Sequence, residues 1–449
     1  MTRFVCAAAL TALLATGCAS HSDRTREIRS ALDAGQPRHA LQLLNEQLDT
    51  PSEKQLPDDL GGEKSLFLLD RAMVLQQLHI YKLSSRDLET SDKQIQMLDF
   101  KRSAVDDIGK YLFSDDVGPY KAPPYEKLMI NTMNMVNYLA LGDLQGARVE
   151  ARRLSVMQKY FRDHDPENAL SAPGSYLAGF TFEKSGQPDE ALRYYDEALQ
   201  YGQYQSLAAP IRRLLSQSAY ASPRLRKAAG MADGDALPHA EPETAKQGEL
   251  LVIVSYGRVP AKIAQRLPIG LALTYVSGSM SPNDVARANR LAAQGLVTWI
   301  NYPALGQPHG EYDVPSFQLD GQPQRLEGIV AVDKEARRAW EETKGTVIAS
   351  AITRMIARVA TGEGVRAAAG KDHPIEGLLL SLATQATLTA TDTPDTRSWA
   401  TLPARMAFAR VMLPPGPRTV RVQARSAETT QKVNITAGGF AVVNLTVLE

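Results

Sequence analysis

The chain contains GQPRHAL at residues 35–41 and GQPDEAL at residues 186–192, two copies of one motif that share Gly, Gln, Pro, Ala and Leu in register. Each copy is followed by a pattern typical of an amphipathic helix. A motif that recurs within one chain indicates a repeat architecture, in which each unit buries its apolar face by stacking on a neighbour. The N-terminal half is therefore predicted to be an array of packed helical hairpins.

The second copy extends in both directions along the chain. Small and aromatic residues stand at fixed offsets around its turn, at Gly179, Phe182, Gly186, Ala191, Tyr195 and Ala198. Gly179 and Ala191 allow two antiparallel helices to approach closely, while the aromatic side chains fill the space on either side. These offsets resemble those of the tetratricopeptide repeat (TPR), a helical hairpin with small and aromatic residues on both helices and a glycine at the turn.

Two further units are predicted, one around Gly142 and a degenerate one with His79 where the turn glycine would stand. The array is irregular, and residues 156–173 form an insertion. The predicted turns are at residues 35, 79, 142 and 186. The alternative is a generic helical bundle in which the motif recurs by chance. Both interpretations make residues 18–220 an all-α domain.

The TPR resemblance also implies a binding surface. In such repeats the first helix of each hairpin lines a concave groove that holds an extended peptide or a partner helix. The residues implied for the last unit are Tyr176, Phe180, Glu183 and Lys184. On the preceding unit, Asn131, Asn134 and Asn137 share one helix face at three-residue spacing. This ladder is either a solvated face, the favoured interpretation, or a binder of peptide backbone, because buried amides need partners.

A second domain is predicted after a linker. Residues 221–248 are rich in Ala, Gly, Pro, Asp and Glu and lack an apolar period, which is typical of a domain boundary. Residues 249–449 are predicted to be an α+β domain, so the whole chain falls in the α+β class. Its predicted strands are at 249–256, 271–275 and 297–302, and its predicted helices are at 282–294, 333–342, 346–359 and 375–388.

After Trp399 the apolar pattern changes to a period of two, which predicts a β-meander in a sandwich-like unit. Turn signals separate the strands, namely PPG at residues 414–416 and GG at 438–439. The four predicted strands are Met406–Leu413, Thr419–Gln423, Val433–Thr436 and Phe440–Val447.

The N-terminus has the composition of a secretory signal peptide over residues 1–17. Its apolar run, Val5–Leu14, is shorter than the roughly 20 residues that span a bilayer. The segment that ends in Cys18 resembles the bacterial lipobox, with Ala15 where that pattern usually has Leu. The resemblance implies that Cys18 is acylated and, since Ala19 follows instead of Asp, that the anchor lies in the periplasmic leaflet of the outer membrane.

Cysteine usage supports this interpretation over that of an ordinary secreted protein. Cys6 lies in the predicted signal, so the mature chain has one cysteine and forms no internal disulfide. A single free thiol is unusual in an oxidising compartment, whereas a thioether-linked lipid consumes it.

Composition and motifs give little support to catalysis or nucleic-acid binding. Lys plus Arg and Asp plus Glu number 50 each, so no net field attracts a polyanion. The seven histidines lack metal-ligand spacing, residues 364–372 miss the phosphate-loop pattern, and no nucleophile elbow occurs. We therefore predict a protein that is not an enzyme and binds no cofactor, metal or nucleic acid.

Several segments are similar to a family of Gram-negative lipoproteins with TPR units that has no assigned activity. They are residues 138–143, 147–154, 257–262 and 395–403. The expected function is an outer-membrane-anchored periplasmic scaffold that binds protein partners in envelope assembly, such as a secretion, surface-structure or peptidoglycan-synthesis complex. One alternative is an envelope hydrolase or ligand-binding enzyme with its site between Tyr256 and Trp399. Another is a purely structural tether.

Overall fold

Helices fill most of the N-terminal half of the chain, and strands belong to the C-terminal half, which confirms the α+β class. The computed structural model describes residues 20–100, 120, 122–164, 172–232, 235–236, 247–276, 278–293, 299–307, 309–310, 314–368 and 394–449. Cys18, Asp392 and the predicted helix at 375–388 lie outside these residues.

The N-terminal helices are α1 (His21–Arg24), α2 (Arg26–Asp33), α3 (Pro37–Gln47), α4 (Lys64–Gln77), α5 (Tyr81–Phe100), α6 (Pro124–Ala140), α7 (Leu144–His164), α8 (Ala172–Lys184), α9 (Pro188–Tyr201), α10 (Ala208–Leu215) and α11 (Pro223–Ala228). Helices α2 and α3, α4 and α5, α6 and α7, and α8 and α9 pack as four successive hairpins, and each hairpin packs on the next. Helix α11 lies within the segment that the sequence predicted to be a linker.

All four hairpins turn through the same backbone motif. The predicted turn residues Gly35, His79, Gly142 and Gly186 have positive φ angles of 66°, 60°, 72° and 71°. In each turn the N–H of the next residue donates to the carbonyl oxygen five residues earlier, at 2.8–3.0 Å. This left-handed ending is the usual helix stop at glycine, and His79 adopts it despite its side chain. The predicted positions of the turns are therefore confirmed.

The described residues of the C-terminal half form three sheets. Its strands are β1 (Gly248–Tyr256), β2 (Lys262–Pro268), β3 (Trp299–Leu305), β4 (Ser316–Leu319), β5 (Gln322–Gln324), β6 (Glu327–Ala331), β7 (Arg405–Leu413), β8 (Gly416–Ala424), β9 (Ala427–Ile435) and β10 (Phe440–Val447). The first sheet has the order β10-β1-β7-β6 and the second β5-β4-β8-β9, while β2 and β3 form an antiparallel pair.

The predicted β-meander is wrong, although all four of its strands exist. Strand β7 pairs with β1 and β6, and β10 pairs in parallel with β1 along Glu249–Tyr256. Of the four, only β8 and β9 pair with each other. Strands β7 and β10 are nearly continuous apolar runs, which suit a sheet covered on both faces, whereas β8 and β9 alternate.

Helices α12 (Ile269–Tyr275), α13 (Pro282–Ala293) and α14 (Val332–Ala368) pack with β2 and β3 around a separate apolar cluster. The strand predicted at 271–275 is therefore wrong, since that segment belongs to α12. The helix at 282–294 is confirmed to within one residue. The two helices predicted at 333–342 and 346–359 form one continuous helix, α14.

Strand β1 joins the two halves of the molecule. Its alternate side chains Leu251 and Ile253 belong to the main apolar core, which contains the helical hairpins. Leu250, Val252 and Val254 face the other way, into a core shared with the second sheet. The first sheet thus has the helices on one face and the second sheet on the other, and it spans what the sequence separated as two domains.

The common turn motif gives a testable prediction at Gly142. A Cβ at this residue meets no atom within 4 Å, so Gly142→Ala changes only the strain of a left-handed residue. We expect the free energy of unfolding to fall by about 1 kcal/mol, measured by urea denaturation. The control is Gly270→Ala in α12, which is equally free of contacts and has no positive φ. It should be neutral or stabilising, and equal losses in both variants would contradict the turn argument.

Candidate functional site

The face implied to be a partner-binding groove is covered by the first sheet of the same chain. Tyr176 and Phe180 are fully buried. The Tyr176 ring stacks on Phe408 of β7, with centroids 4.5 Å apart, and Phe180 meets Phe440 of β10 edge to face at 5.5 Å. The structure therefore brings the groove residues together on one face, and that face is filled from within the chain.

A buried ionic cluster holds the sheet against this face. Arg410 of β7 donates through Nη2 to Glu183 Oε2 at 2.9 Å, through Nε to Glu249 Oε1 at 2.5 Å, and through Nη1 to the Tyr195 hydroxyl at 2.7 Å. Its guanidinium carbon lies 5.0 Å from the centroid of the Phe180 ring. The side chains of Arg410, Glu183 and Glu249 are each at most 3% exposed.

Opposite charges keep both carboxylates of this cluster ionised. Burial raises the pKa of Glu183, but the charges of Arg410, Lys184 and Arg213 outweigh it and hold that pKa well below its usual range. The same balance lowers the pKa of Glu249. The two carboxylates raise the pKa of Arg410 above its ordinary value despite its burial. The cluster is thus a charged contact between helix and sheet.

The asparagine ladder is also buried, so the solvated-face interpretation is wrong. Asn131 Nδ2 donates to Glu150 Oε2 at 2.9 Å. Gln76 Nε2 donates to Asn137 Oδ1 at 2.8 Å, and Gln76 Oε1 accepts from Thr446 of β10 at 3.0 Å. The ladder is completed by Asn134, which is equally buried. Asn137 and Gln76 thus join the third hairpin to the second and to β10, whereas the Asn131 bond lies within the third hairpin and Asn134 Oδ1 has no hydrogen-bond partner among the described residues.

A second polar cluster begins at the first described residues. His21 and Glu63 are buried and share a hydrogen bond of 3.0 Å between Nδ1 and Oε2. Burial raises the pKa of Glu63, but the hydrogen bond and charge of His21 outweigh it and leave that pKa below its ordinary value. The backbone N–H of Ser22 donates to the Thr396 hydroxyl at 3.0 Å. Ser20, the first described residue, is itself buried.

Two buried carboxylates hold the segment around Trp399. Asp70 Oδ1 accepts from the Thr401 N–H at 2.9 Å and from its hydroxyl at 2.8 Å. Glu126 Oε1 accepts from the Trp399 N–H at 3.2 Å. Burial raises the pKa of Asp70 to about 6 and also raises that of Glu126. In the same segment Arg397 pairs with Asp395 at 2.7 Å. The segment is a firmly held loop.

The polar cluster of His21 and Glu63 lacks the arrangement of a hydrolytic triad. A histidine oriented by a carboxylate acts as a base when its other ring nitrogen reaches a nucleophile. Among the described residues, His21 Nε2 has no hydrogen-bond partner, so no hydroxyl lies within reach of it. Over the same residues, no group of three or more His, Cys, Asp and Glu side chains could hold a metal ion.

One cavity in the C-terminal half has a volume of about 300 Å³. It lies between β4 and β5, and its walls contain no carboxylate, histidine or cysteine. Its lining residues are Val314–Gln318 and Pro323–Leu326. The Ser316 hydroxyl is thus present in the walls without a carboxylate or histidine beside it to act as a base.

Comparison with known proteins adds no relative, since no protein-family model, curated protein or solved structure matches the chain. None of the described helices combines the length and apolarity needed to cross a bilayer.

The sequence analysis named the charged residues on the helical side of the contact between α8 and the first sheet, and it missed those on the sheet. It named Glu183 and Lys184 but overlooked Arg410 and Glu249. A usable signal was present, because Arg410 interrupts the apolar run MAFARVML and Glu249 opens ELLVIV. A charge inside a buried strand requires a partner of opposite charge. Asp70 had the same signal, because it interrupts the apolar run LFLLDRAMVL, whereas Glu126 had none.

The ionic cluster predicts that Arg410→Met strongly lowers the free energy of unfolding. The variant leaves Glu183 and Glu249 buried without their guanidinium, so we expect unfolding to become easier by about 3–5 kcal/mol at pH 7, measured by urea denaturation. The control is Arg421→Met on β8, where the side chain is half exposed and pairs with Glu428 at 2.6 Å. This change should have little effect, and a similar loss in both variants would contradict the argument.

The stability deficit of Arg410→Met should also depend on pH. In the parent protein the pKa of Glu183 is depressed, so its contribution is present above an unfolded pKa near 4.3 and is lost as the pH falls. In the variant, Lys184 and Arg213 still oppose the effect of burial, but the loss of Arg410 raises the pKa of Glu183 relative to the parent. The deficit relative to the parent should therefore shrink as the pH falls from 7 to 4. A constant deficit would indicate a simple packing defect.

The raised pKa of Asp70 predicts that removal of its buried charge stabilises the protein at neutral pH. Its folded pKa of about 6 exceeds its unfolded value, so its contribution is complete below about pH 4 and is lost as the pH rises through 6. Asp70→Asn keeps an oxygen for Thr401 and removes the buried charge. We expect up to about 3 kcal/mol of added stability at pH 7 and none at pH 4. Denaturation at the two pH values tests this, and a loss at pH 7 would contradict it.

Proposed function

We propose that this protein is a lipoprotein of the bacterial envelope, anchored through Cys18 to the periplasmic face of the outer membrane, that acts as a scaffold for protein partners in envelope assembly. The observation that carries the proposal is the burial of the first described residue. Ser20 is buried, two residues after the lipobox-like cysteine. A lipid at Cys18 would therefore hold a folded body directly at the bilayer surface.

We also propose that the helical hairpins are irregular TPR-like units. The repeated turn motif at Gly35, His79, Gly142 and Gly186 supports this, as does the close packing at Gly179, where a Cβ would lie 2.4 Å from the Tyr195 ring. The units differ from a free repeat array because their concave face holds a sheet of the same chain. Protein partners would therefore meet the outer surfaces.

Helix α7 is the outer surface with the clearest apolar stripe. Val149, Val156 and Tyr160 are 46%, 68% and 54% exposed, and their spacing of seven and four places them on one helix face. Arg152 and Lys159 lie exposed beside them. A face of this kind suits an amphipathic helix of a partner that carries apolar and acidic side chains.

A photoreactive residue at position 156, introduced in cells, tests the scaffold role. We expect a cross-linked adduct of defined mass, because the side chain is exposed on the stripe. The control position is Glu46 of α3, which is exposed and polar. Adducts at neither position, or equally at both, would contradict a partner site on α7.

The hydrolase alternative has less support. The cavity at β4 and β5 has no acid in its walls, and the His21–Glu63 pair faces no hydroxyl among the described residues. Nothing in the geometry of either place favours a specific hydrolytic reaction.

The anchor gives a direct prediction. Cys18→Ser should move the protein from the membrane fraction to the soluble periplasmic fraction, because no described helix can replace a lipid as an anchor. Cys6→Ser is the control, since Cys6 lies in the predicted signal and should leave membrane association unchanged. Fractionation and mass spectrometry of the mature N-terminus are the measurements. Retention of Cys18→Ser in the membrane would contradict the lipid anchor.

A further inference from the structure

The outer face of the β2–β3 pair, together with the adjoining surface of α12, carries large apolar and aromatic side chains in solvent. Trp299 lies opposite Pro268 in the antiparallel register, and Leu267 and Ile300 of the next pair point into the apolar core. Because side chains alternate along a strand, Trp299 and Pro268 face outward. Leu271 and Tyr275 follow on one side of α12, and these two and Trp299 are 42–52% exposed.

The same surface carries positive charge. Arg266 lies on the outer face, in register with Asn301, and is exposed. The Lys344 ammonium group lies 4.7 Å from the centroid of the Tyr275 ring and pairs with Glu341 of the same helix at 3.6 Å. Between residues 262 and 299 the sequence has four basic residues and one acidic residue. Aromatic side chains flanked by cations match the headgroup region of a bilayer, where Trp and Tyr collect and phosphates attract Lys and Arg.

The predicted anchor lies at the other end of this face. Helix α1 packs against β2, and the N–H of Lys262, the first residue of β2, donates to the Ser398 hydroxyl at 3.2 Å, two residues from the Thr396 that binds Ser22. Two residues of chain reach at most about 7 Å, so Cys18 lies close to Ser20. The seven residues of β2 extend about 20 Å from there to Pro268, opposite Trp299.

We propose that the outer face of β2–β3 and α12 is a membrane-contact surface, on which Trp299, Tyr275 and Leu271 enter the headgroup layer of the anchoring bilayer and Arg266 binds lipid phosphate. The proposal rests on the proposed function for the presence of a lipid at Cys18. A lipid at Cys18 and aromatic side chains about 20 Å from Ser20 would give the body two separate points of membrane contact. Two such contacts would restrict the rotation that a lipid alone leaves free.

Tryptophan fluorescence tests this surface with little background, because Trp340 and Trp399 are buried and Trp299 is half exposed. The acylated full mature chain is reconstituted in vesicles of phosphatidylethanolamine and phosphatidylglycerol with brominated acyl chains, which quench tryptophan only at close range. We expect the Trp299 emission to be quenched, and to shift to shorter wavelength in the same vesicles without bromine. Trp299→Phe should abolish both changes.

A matched control moves the probe to the helical half. In the double variant Trp299→Phe with Val156→Trp, the new tryptophan replaces the highly exposed Val156 of α7 and should stay unquenched. Equal quenching at the two positions would overturn the proposal, because it would show contact without a defined face. Protection of Trp299 by added envelope protein, without quenching by lipid, would also overturn it and assign the face to a protein partner.

Flotation of the same vesicles separates failure of the surface from failure of the anchor. If the acylated protein floats and Trp299 remains unquenched, the membrane-contact surface is rejected while the lipid anchor stands. If the mature chain carries no lipid, the anchor is rejected. The chain without lipid is then mixed with the same vesicles, where quenching of Trp299 supports the surface by itself and its absence rejects it.

Discussion

The rest of the structure depends on the charge of Arg410, which extends from the first sheet into the face of the helical hairpins that this sheet covers. It binds Glu183 of α8 and Glu249 of β1 at once, so that one guanidinium joins a helix to two adjacent strands. Buried charges cost several kcal/mol each unless they are paired and hydrogen bonded. The cluster therefore favours one arrangement of helices and sheet over slipped alternatives, in which these charges would be unpaired.

The local features of this fold were predictable, and the long-range ones were not. The turns at Gly35, His79, Gly142 and Gly186 follow from residues that are neighbours in sequence. The pairing of β10 with β1 joins segments that are distant in the sequence. Both segments are apolar runs, and such runs are compatible with several sheet topologies. The groove residues of α8 followed from the resemblance of this hairpin to the tetratricopeptide repeat. Their true neighbours, Phe408 and Phe440, could not be assigned to them, since no local pattern says what covers an apolar face.

These contacts alter how a functional surface is sought on this molecule. In an open repeat array the concave face recruits a partner, and its aromatic residues are the first to be mutated. Here Tyr176 and Phe180 stabilise the core, so their loss would disturb folding whatever the protein binds. The exposed groups lie elsewhere, on α7 and on the outer face of β2–β3 and α12. One is a candidate surface for proteins, the other for lipid.

The parallel pairing of β10 with β1 has a consequence for biogenesis. Strand β10 is the last described strand, and it completes the central sheet beside the first strand of the C-terminal half. A chain synthesised from its N-terminus contains all four helical hairpins long before β10 has been made. The central sheet is therefore completed last, and the face of the hairpins that it covers stays exposed to solvent until then.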